Sequence, residues 1–256
     1  MKRFIFILCL LIADLSVLYG QTNQDIPDCF DEIDSHGAIV RHNKNNKTIY
    51  LIFSADEAFE VAGIILGTLE KHGAKGSFFL TGNCLRNKKH EEIIKRIIKE
   101  GHYVGGHSDN HLLYVSWDNR QQMLVTADSL IMDFKKNMAE LGKYGIETDS
   151  IKYFLSPYEW YNSETVGLIQ SQGQKVINMT PGIRTAADYT TPDMKNYKSS
   201  QELIDQLYQF ERENGLNGAI MLIHPGTHPD RIDKLYLRLD EIIEYLKKKG
   251  YLFGRL

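Results

Sequence analysis

Two histidines stand four residues apart in the segment "GGHSDNH", residues 105–111. If this segment forms a helical turn, His107 and His111 lie on one face of it and both imidazoles reach the same ion. Two histidines and one carboxylate, with a position left for water, form a common hydrolytic zinc site. The alternative is that the two histidines end a strand and begin a helix, where they bind only backbone groups. The HxxxH spacing alone is a weak indication of a metal site. A carboxylate close to the two histidines would strengthen this interpretation.

Strands and helices alternate along the chain from residue 38 onward. Apolar runs that end at turn residues predict the strands, and apolar residues three and four positions apart predict the helices. The predicted strands are two around the turn "NKNNK" within 37–53, then 75–82, 102–106, 151–157, 174–181 and 218–224, with 251–256 as a candidate final strand. The predicted helices are 61–73, 90–101, 118–142, 163–171, 200–214 and 232–250.

This alternation predicts a mainly parallel sheet, because helices cross over between parallel strands. Six or seven such units suggest a closed or nearly closed β/α barrel, whose active site lies at the carboxyl ends of the strands. The segments at those ends, which are also the richest in Asp, Glu, His and Tyr, are 53–57, 81–83, 107–111, 156–162, 180–188 and 224–230. Asp56 and Glu57 in the first segment supply the carboxylate that the metal interpretation needs.

The composition is that of one globular domain. Of the 256 residues, 43% are apolar and 25% are charged, and the formal net charge is -3. These values allow a sizeable core and give no basic surface of the kind that binds nucleic acid. They carry no indication of an oligomeric state.

The first twenty residues differ from the rest of the chain. Lys2 and Arg3 precede an apolar run that ends at Gly20, which is typical of a secretory signal. A membrane anchor is the alternative, but Asp14 interrupts the run, and the run is short for a bilayer span. We therefore predict an exported protein with no stable membrane span after signal removal. Its predicted parts are a signal peptide at 1–20, an N-terminal extension at 21–37 and a catalytic barrel at 38–256.

Removal of the signal leaves Cys29 and Cys84 as the cysteines of the mature chain. In an oxidising compartment they could form a disulfide that ties the N-terminal segment to the barrel. Two free thiols are the alternative, and the sequence does not decide between the two.

The chain resembles the polysaccharide deacetylases of the nodulation-protein homology group, carbohydrate esterase family four. The resemblance rests on the order of the segments "IYLIFSADE", "GSFFLTGN", "GHYVGGHSDNH", "FLSPYEWYN", "AADY" and "IMLIH", and extends over residues 38–253. It implies a distorted (β/α) barrel with about seven parallel strands, preceded by an N-terminal strand or hairpin. It also implies metal-dependent hydrolysis of N- or O-linked acetyl groups on a polysaccharide or oligosaccharide, with a divalent ion, zinc being favoured, as cofactor.

The same resemblance implies roles for three residues outside the histidine pair. His224 matches the acid histidine of the family, and Asp188 matches the carboxylate that orients it and keeps it protonated. The backbone N–H of Tyr158 matches the group that helps to bind the oxyanion. The alternative for His224 is a satisfied core histidine, which its position at a strand end disfavours.

Two family motifs are altered in this chain. The first reads T-F-D-D-G in the family, with a base Asp and a ligand Asp, whereas residues 52–56 read Ile-Phe-Ser-Ala-Asp. The third reads R-x-P-Y, and Leu155 stands where the family Arg pairs with the base. Since an unpaired buried charge is strongly destabilising, the joint loss of Asp and Arg is physically consistent and points to an altered site.

The altered motifs leave the third ligand and the base to other carboxylates. A one-residue bulge would bring Asp56 or Glu57 to the metal, and we favour Asp56, the nearer and shorter carboxylate, as the third ligand. The base would then be Glu159, which stands where the family has glycine, or Glu57. The alternative for both glutamates is a solvated loop charge. Asp109 is expected to face solvent or cap the turn between the histidines.

Trp160 and Tyr161 are candidates for a sugar-stacking platform, with packing at the barrel rim as the alternative. We predict an enzyme that removes acetyl groups from a polysaccharide or oligosaccharide with the help of a metal. One alternative is a catalytically impaired, exported carbohydrate-binding relative, which the missing Asp–Arg pair favours. Another is a metal hydrolase of non-sugar amides.

Overall fold

The computed structural model describes residues 31–59 and 61–256. The predicted signal peptide at 1–20, most of the predicted extension at 21–37, and Cys29 lie outside these residues. The side chain of Cys84 is buried. Whether it pairs with Cys29 stays open, because Cys29 lies outside the described residues. Within the described ranges, no helix is both long enough and apolar enough to cross a membrane.

The strands of the described residues form one sheet. They are β1 Glu32–Ile33, β2 Ile39–Arg41, β3 Thr48–Ala55, β4 Ser77–Leu80, β5 Tyr103–Gly106, β6 Tyr153–Leu155, β7 Lys175–Ile177, β8 Ile220–Leu222 and β9 Leu252–Gly254. The order across the sheet is β1-β2-β7-β6-β5-β4-β3-β8, and β9 pairs with β3 off this path. The predicted strands are thus confirmed, including the final one.

All neighbours from β2 to β8 along this path pair in parallel, and only β1 and β2 pair antiparallel, as an N-terminal hairpin. The two ends of the path approach each other through an isolated antiparallel bridge between Arg41 and Ala219. The backbone N–H of His42 also donates to the carbonyl of Gly218 at 2.8 Å. The predicted distorted barrel of seven parallel strands with an N-terminal hairpin is confirmed.

The barrel has an apolar interior and an apolar outer layer because successive strand residues face opposite sides. The interior cluster takes residues from six strands and one loop: Ile39, Ile52, Phe79, Leu155, Ile177, Ala186, Ile220 and Leu222. Phe53 and Ala55 belong instead to the larger core under the helices. The same alternation along β3 directs Ser54, and next Asp56, towards the interior at the carboxyl end of the strand.

The helices cover the outside of this sheet. They are α1 Ala62–Lys71, α2 Gly82–Arg86, α3 Glu91–Lys99, α4 Ala127–Gly142, α5 Ser163–Ser171, α6 Ser200–Asn214 and α7 Leu239–Lys248, with 3₁₀ turns at 88–90, 148–150, 157–159, 185–189 and 235–238. Capping boxes at Asn162 and Ser199 begin α5 and α6, because each side chain accepts a hydrogen bond from the backbone of the third helical residue. The short helix α2 was not predicted.

The predicted helix at 118–142 was wrong in its first part. Helix α4 begins at Ala127, where the side chain of Thr126 accepts a hydrogen bond from the N–H of Ser129 and caps the first turn. Before it, Val115 and Met123 form an antiparallel bridge, so the intervening residues make an ordered loop. Apolar residues at helical spacing continued into this loop because it packs against the same core.

Two glycines allow a test of how tightly β5 is packed behind the histidine segment. A Cβ at Gly106 would meet Oδ1 of Asn137 at 2.5 Å and would also overlap Met138. A Cβ at Gly67, in α1, has nothing within 4 Å. Gly106→Ala should therefore lower the free energy of unfolding by about 1–3 kcal/mol, as overpacking does.

Gly67→Ala is the matched control and should leave the free energy of unfolding unchanged or raise it by up to about 1 kcal/mol. Urea denaturation followed by circular dichroism measures both variants. Equal stability of Gly106→Ala and wild type would show that β5 is not packed as described.

Candidate active site

The chemically reactive side chains gather at one edge of the sheet, where the carboxyl ends of the parallel strands meet. Asp56 follows β3, His107 follows β5, and Glu159 follows β6 by four residues. His224 follows β8, and Asp188 lies in the 3₁₀ turn after β7. The parallel topology thus places together residues that lie up to 168 positions apart in the numbering.

His107 is buried, and one of its ring nitrogens has a fixed partner. Its Nδ1–H donates to the carbonyl of Leu155 at 2.8 Å, which leaves Nε2 as the nitrogen with a free lone pair. Its backbone N–H donates to Oδ1 of Asn137 at 3.0 Å. Burial, and next the charge of His111, hold the pKa of His107 well below its usual value, so the ring is neutral. A neutral imidazole with one nitrogen fixed in this way is typical of a metal ligand.

His111 converges on His107, although not in the predicted way. The two ring centroids are 5.0 Å apart. The expected helical turn is wrong, since residues 107–111 form an irregular loop in which Ser108 has φ 75° and His111 has φ 52°. Burial lowers the pKa of His111, and the charge of Asp56 opposes this shift.

The carboxylate of Asp133 holds this loop from α4, and sequence analysis missed it. Its Oδ2 accepts from Ser108 Oγ at 2.6 Å, from the Asp109 N–H at 3.1 Å and from the Tyr114 hydroxyl at 2.7 Å. Its Oδ1 accepts from the backbone N–H of Asn110 at 3.1 Å. Asp133 is buried, so these donors replace the water that would otherwise solvate its charge. Nothing in the sequence of the loop indicates that Asp109 binds a carboxylate 24 residues further along the chain.

Asp109 does not face solvent, which corrects the expectation for it. The side chain is buried, and its Oδ1 accepts from Nη1 of Arg86 in α2 at 2.5 Å. The backbone N–H groups of Gly82 and Asn83 donate to the carbonyls of Ser108 and Asp109, at 3.0 and 3.1 Å. Asp109 therefore ties the histidine loop to α2 and is not available as a base.

Asp56 and Glu57 point to different surroundings. Oδ1 of Asp56 accepts from the hydroxyl of Thr81 at 2.8 Å and from Nδ2 of Asn83 at 3.2 Å. Asp56 is half-buried and close enough to His111 to affect its pKa. Glu57 is exposed and lines an outer cleft with Asn87. Of the two, Asp56 is the one near His111.

The family positions for the base and its Arg are filled by neutral residues. Ser54 is buried at the end of β3. Leu155 is fully buried in the barrel interior beside Ile52 and Phe79. An apolar interior here leaves no unpaired charge, in agreement with the joint loss of Asp and Arg.

His224 and Asp188 form a tight pair. Nδ1–H of His224 donates to Oδ1 of Asp188 at 2.6 Å, and the backbone N–H of His224 donates to Oδ2 at 3.0 Å. Burial lowers the pKa of His224, but Asp188, and then Glu159, more than offset this, so the pKa lies above its usual value. The ring is therefore suited to hold a proton and to donate it.

Glu159 has an unusual backbone conformation. Tyr158 and Glu159 have φ 58° and 53°, in the left-handed region that favours glycine. Burial raises the pKa of the Glu159 carboxyl to about 7, the charge of His224 lowers it and that of Asp188 raises it. Of the two candidates for the base, Glu159 is the one that is close enough to His224 to affect its pKa.

The aromatic residues after β6 have separate positions. The ring of Tyr158 covers His111 with centroids 4.3 Å apart. Tyr161 is fully buried and donates its hydroxyl to Asp34 at 2.7 Å, so it packs in the rim and offers no platform. Trp160 is half-buried and contacts Trp117, which sequence analysis missed. These residues line a cleft of about 520 Å³ that also contains Glu159.

Residues 41–177, more than half of the chain, match the polysaccharide deacetylase family. The chain belongs to this family. Relatives of the chain are named as peptidoglycan deacetylases and carbohydrate esterases, which are hydrolases of amide or ester bonds. A relative from Bacillus cereus, a peptidoglycan-N-acetylglucosamine deacetylase, is 40% identical over 217 residues, which cover 83% of this chain and 70% of that protein.

Solved structures of the family share the fold of this deacetylase-family chain. PdaA from Bacillus subtilis, a family 4 carbohydrate esterase, has a TM-score of 0.65 at 25% identity and covers 85% of this chain and 82% of its own. A family 4 pseudoenzyme from Bacillus anthracis has a TM-score of 0.65 at 23% identity, with 87% and 68% covered. The fold is therefore found both in proteins described as esterases and in one described as a pseudoenzyme.

The residues at the site fit a divalent ion by their donor chemistry. His107 and His111 are neutral and converge, and no described ion pair gives Asp56 a basic partner. A carboxylate without such a partner near two imidazoles favours a cation. The part of the chain that the structure describes has no group of three His, Cys, Asp or Glu side chains spaced as a metal site. Asp56 as the third ligand stays a prediction.

Asp133→Asn tests whether this carboxylate holds the histidine loop. The amide replaces one acceptor oxygen by a donor that faces other donors, so the free energy of unfolding should fall by about 2–4 kcal/mol. Denaturant unfolding measures the loss, and ¹⁵N spectra of the histidine rings show whether His107 and His111 have moved.

Asp128→Asn is the control, since Asp128 lies exposed in the first turn of the same helix. Its expected effect is below about 1 kcal/mol, the usual range for a charge near a helix terminus. If both variants unfold like wild type and the histidine resonances stay in place, the loop does not depend on Asp133.

Proposed function

We propose that this chain hydrolyses N- or O-linked acetyl groups on a polysaccharide or oligosaccharide. The observation that carries the proposal is the group formed by Glu159, His224 and Asp188 at the strand ends, next to the histidine pair. The pKa of the carboxyl is raised to about 7 and that of the imidazole is raised above its usual value. A base and an acid with such values are matched to work near neutral pH.

In this proposal Glu159 accepts the proton of the attacking water. His224, oriented by Asp188 at 2.6 Å, donates a proton to the leaving nitrogen or oxygen of the sugar. The backbone N–H of Tyr158 donates to the oxyanion of the tetrahedral intermediate. None of the described hydrogen bonds uses that N–H, so it is available for this purpose.

We further propose that His107, His111 and Asp56 hold a divalent ion, with zinc as the favoured metal. Such an ion would polarise the acetyl carbonyl and lower the pKa of a water molecule. Neighbouring groups of the protein hold two of these proposed ligands in position. Leu155 fixes the ring of His107, and Thr81 and Asn83 fix one oxygen of Asp56.

An exported carbohydrate-binding protein with impaired catalysis is the second candidate. It is favoured by Ser54 and Leu155, which replace the Asp–Arg pair of the family. The pseudoenzyme from Bacillus anthracis has the same fold. Acetate release from acetylated xylan, chitin oligomers and peptidoglycan distinguishes the candidates, because a binding protein releases none. The location that suits either candidate is outside the cytoplasm, as the predicted signal peptide indicates.

The pH dependence of kcat/KM tests the acid and base assignments. Activity should rise as the pH passes about 7, because Glu159 is a base only when deprotonated. It should fall again above the raised pKa of His224, where the acid loses its proton. Glu159→Gln should lower kcat by about 10²–10⁴-fold and remove the rising limb.

Glu57→Gln is the matched control, since Glu57 is exposed and lies in the outer cleft. It should keep the wild-type profile. Acetate release at a series of pH values measures all three proteins. A slow Glu57→Gln beside an unchanged Glu159→Gln would assign the base to Glu57.

The metal assignment has its own test. His107→Ala and His111→Ala should each lose most of the divalent metal that wild type retains, because each removes one of two converging imidazoles. His228→Ala, in an exposed loop, should keep it. Elemental analysis after dialysis against zinc measures the content. Stoichiometric metal in both site variants would contradict the assignment.

A further inference from the structure

The two tryptophans of the chain lie together beside the histidine pair. The sequence contains Trp117 and Trp160 and no other tryptophan. Their ring centroids are 5.4 Å apart, and Trp117 also meets Tyr158 edge to face at 5.7 Å. Because Tyr158 covers His111, the rings form a continuous aromatic surface that leads away from the proposed reaction centre.

The indole rings of Trp117 and Trp160 differ in how much of their surface is accessible to a ligand. The guanidinium of Arg120 lies over the ring of Trp160, 4.0 Å from its centroid, and the indole N–H of Trp160 donates to the carbonyl of Ser116 at 3.1 Å. Trp160 is thus occupied on a face and at its polar edge. Trp117 is 55% exposed although it is a large apolar side chain. Trp160 supports the surface, and Trp117 presents it to solvent.

The loop that carries Trp117 is fixed from both sides. Its ends are joined by the bridge between Val115 and Met123, and the N–H of Ser116 donates to the carbonyl of Gln122 at 3.0 Å. Nε of Arg120 donates to the carbonyl of Tyr161 at 2.7 Å. The exposed ring is therefore held in place before any ligand arrives, which reduces the entropy that binding costs.

The cleft next to this surface is larger than an acetyl group requires. It measures about 520 Å³ and has Trp117, Tyr158 and Glu159 among its lining residues. The other lining side chains include hydrogen-bonding groups, namely Arg184, Asn178 and Asn196. An apolar ring face bordered by donors and acceptors matches a sugar ring, which has a C–H face and polar hydroxyl edges.

We propose that Trp117 binds the sugar residue next to the one that carries the reacting acetyl group, so that the substrate is an oligomer or polymer. The proposal rests on the proposed function, since it takes the acetylated residue to lie at Glu159 and His224. The neighbouring residue stacks on the indole face of Trp117, with Trp160 and Arg120 behind it. Single acetylated sugars do not reach this surface and bind without its help.

Tryptophan fluorescence tests this without turnover, because both emitters of the chain are at the surface in question. Wild type is titrated at low temperature with three tetramers, namely chitotetraose, acetylated xylotetraose and a peptidoglycan glycan fragment, and with N-acetylglucosamine as the monomer. Trp117→Ala should raise Kd for the bound tetramer about three- to tenfold, the range expected for one aromatic contact. It should leave Kd for the monomer unchanged, and Trp117→Phe should restore most of the tetramer affinity.

Leu124→Ala is the matched control, as Leu124 is 49% exposed directly after the same loop and is not among the lining residues of the cleft. It should bind like wild type. Thermal unfolding of each variant confirms that the fold is kept, and Trp160 still reports binding in the Trp117 variants. An unchanged tetramer Kd in Trp117→Ala overturns the proposal, and so does an equal loss for monomer and tetramer. Failure of wild type to bind any of the three tetramers also overturns it.

Acetate release separates this proposal from the proposed function. Tetramer binding that depends on Trp117, without acetate release, supports the binding surface and contradicts hydrolysis. Acetate release from a tetramer with the same KM in wild type and Trp117→Ala supports hydrolysis and contradicts the binding surface.

Discussion

The site depends on one buried carboxylate that does not itself take part in the proposed chemistry. The loop from His107 to His111 contains two residues with positive φ, a conformation that costs a non-glycine residue about 1–2 kcal/mol. Asp133 stabilises it by accepting hydrogen bonds from Ser108, Asp109, Asn110 and Tyr114. Because α4 is anchored in the core, the carboxylate fixes the loop to the barrel. The convergence of the two imidazoles follows from this constraint and not from helical spacing.

The charges at the strand ends have been rearranged relative to the family pattern. At the family positions, Ser54 and Leu155 are neutral, and Leu155 packs with the apolar barrel interior. Carboxyl groups are found instead at Asp56, held by Thr81 and Asn83, and at Glu159, whose pKa the charge of His224 affects. A buried carboxylate needs a cation or several donors to be stable. Asp56 has two donors, whereas burial raises the pKa of the Glu159 carboxyl. The loss of charge at the family positions and the carboxyl groups at new positions therefore involve residues that are distant in sequence but meet at the strand ends.

The sequence predicted the elements well because apolar periodicity reports which face of a strand or helix is buried. It also placed His224, Asp188 and the histidine pair at one edge, since parallel topology requires it. It failed where contacts are not periodic. The loop before Ala127 carries apolar residues at helical spacing, yet the bridge from Val115 to Met123 makes it irregular. Asp133 and Trp117 were missed because their roles come from tertiary neighbours.

The backbone at Tyr158 and Glu159 bears on whether the site is catalytic. Both residues have positive φ, and the family pattern has glycine at the second position, which would adopt this conformation without strain. At this position a glutamate makes the folded backbone less stable than a glycine would. Burial of its carboxyl raises the pKa to about 7. Strained residues of this kind persist where the surroundings hold them for a purpose. A raised pKa at the Glu159 carboxyl and at the His224 imidazole suits the base and the acid of the proposed hydrolysis, which gives a physical reason to keep a strained glutamate at this position.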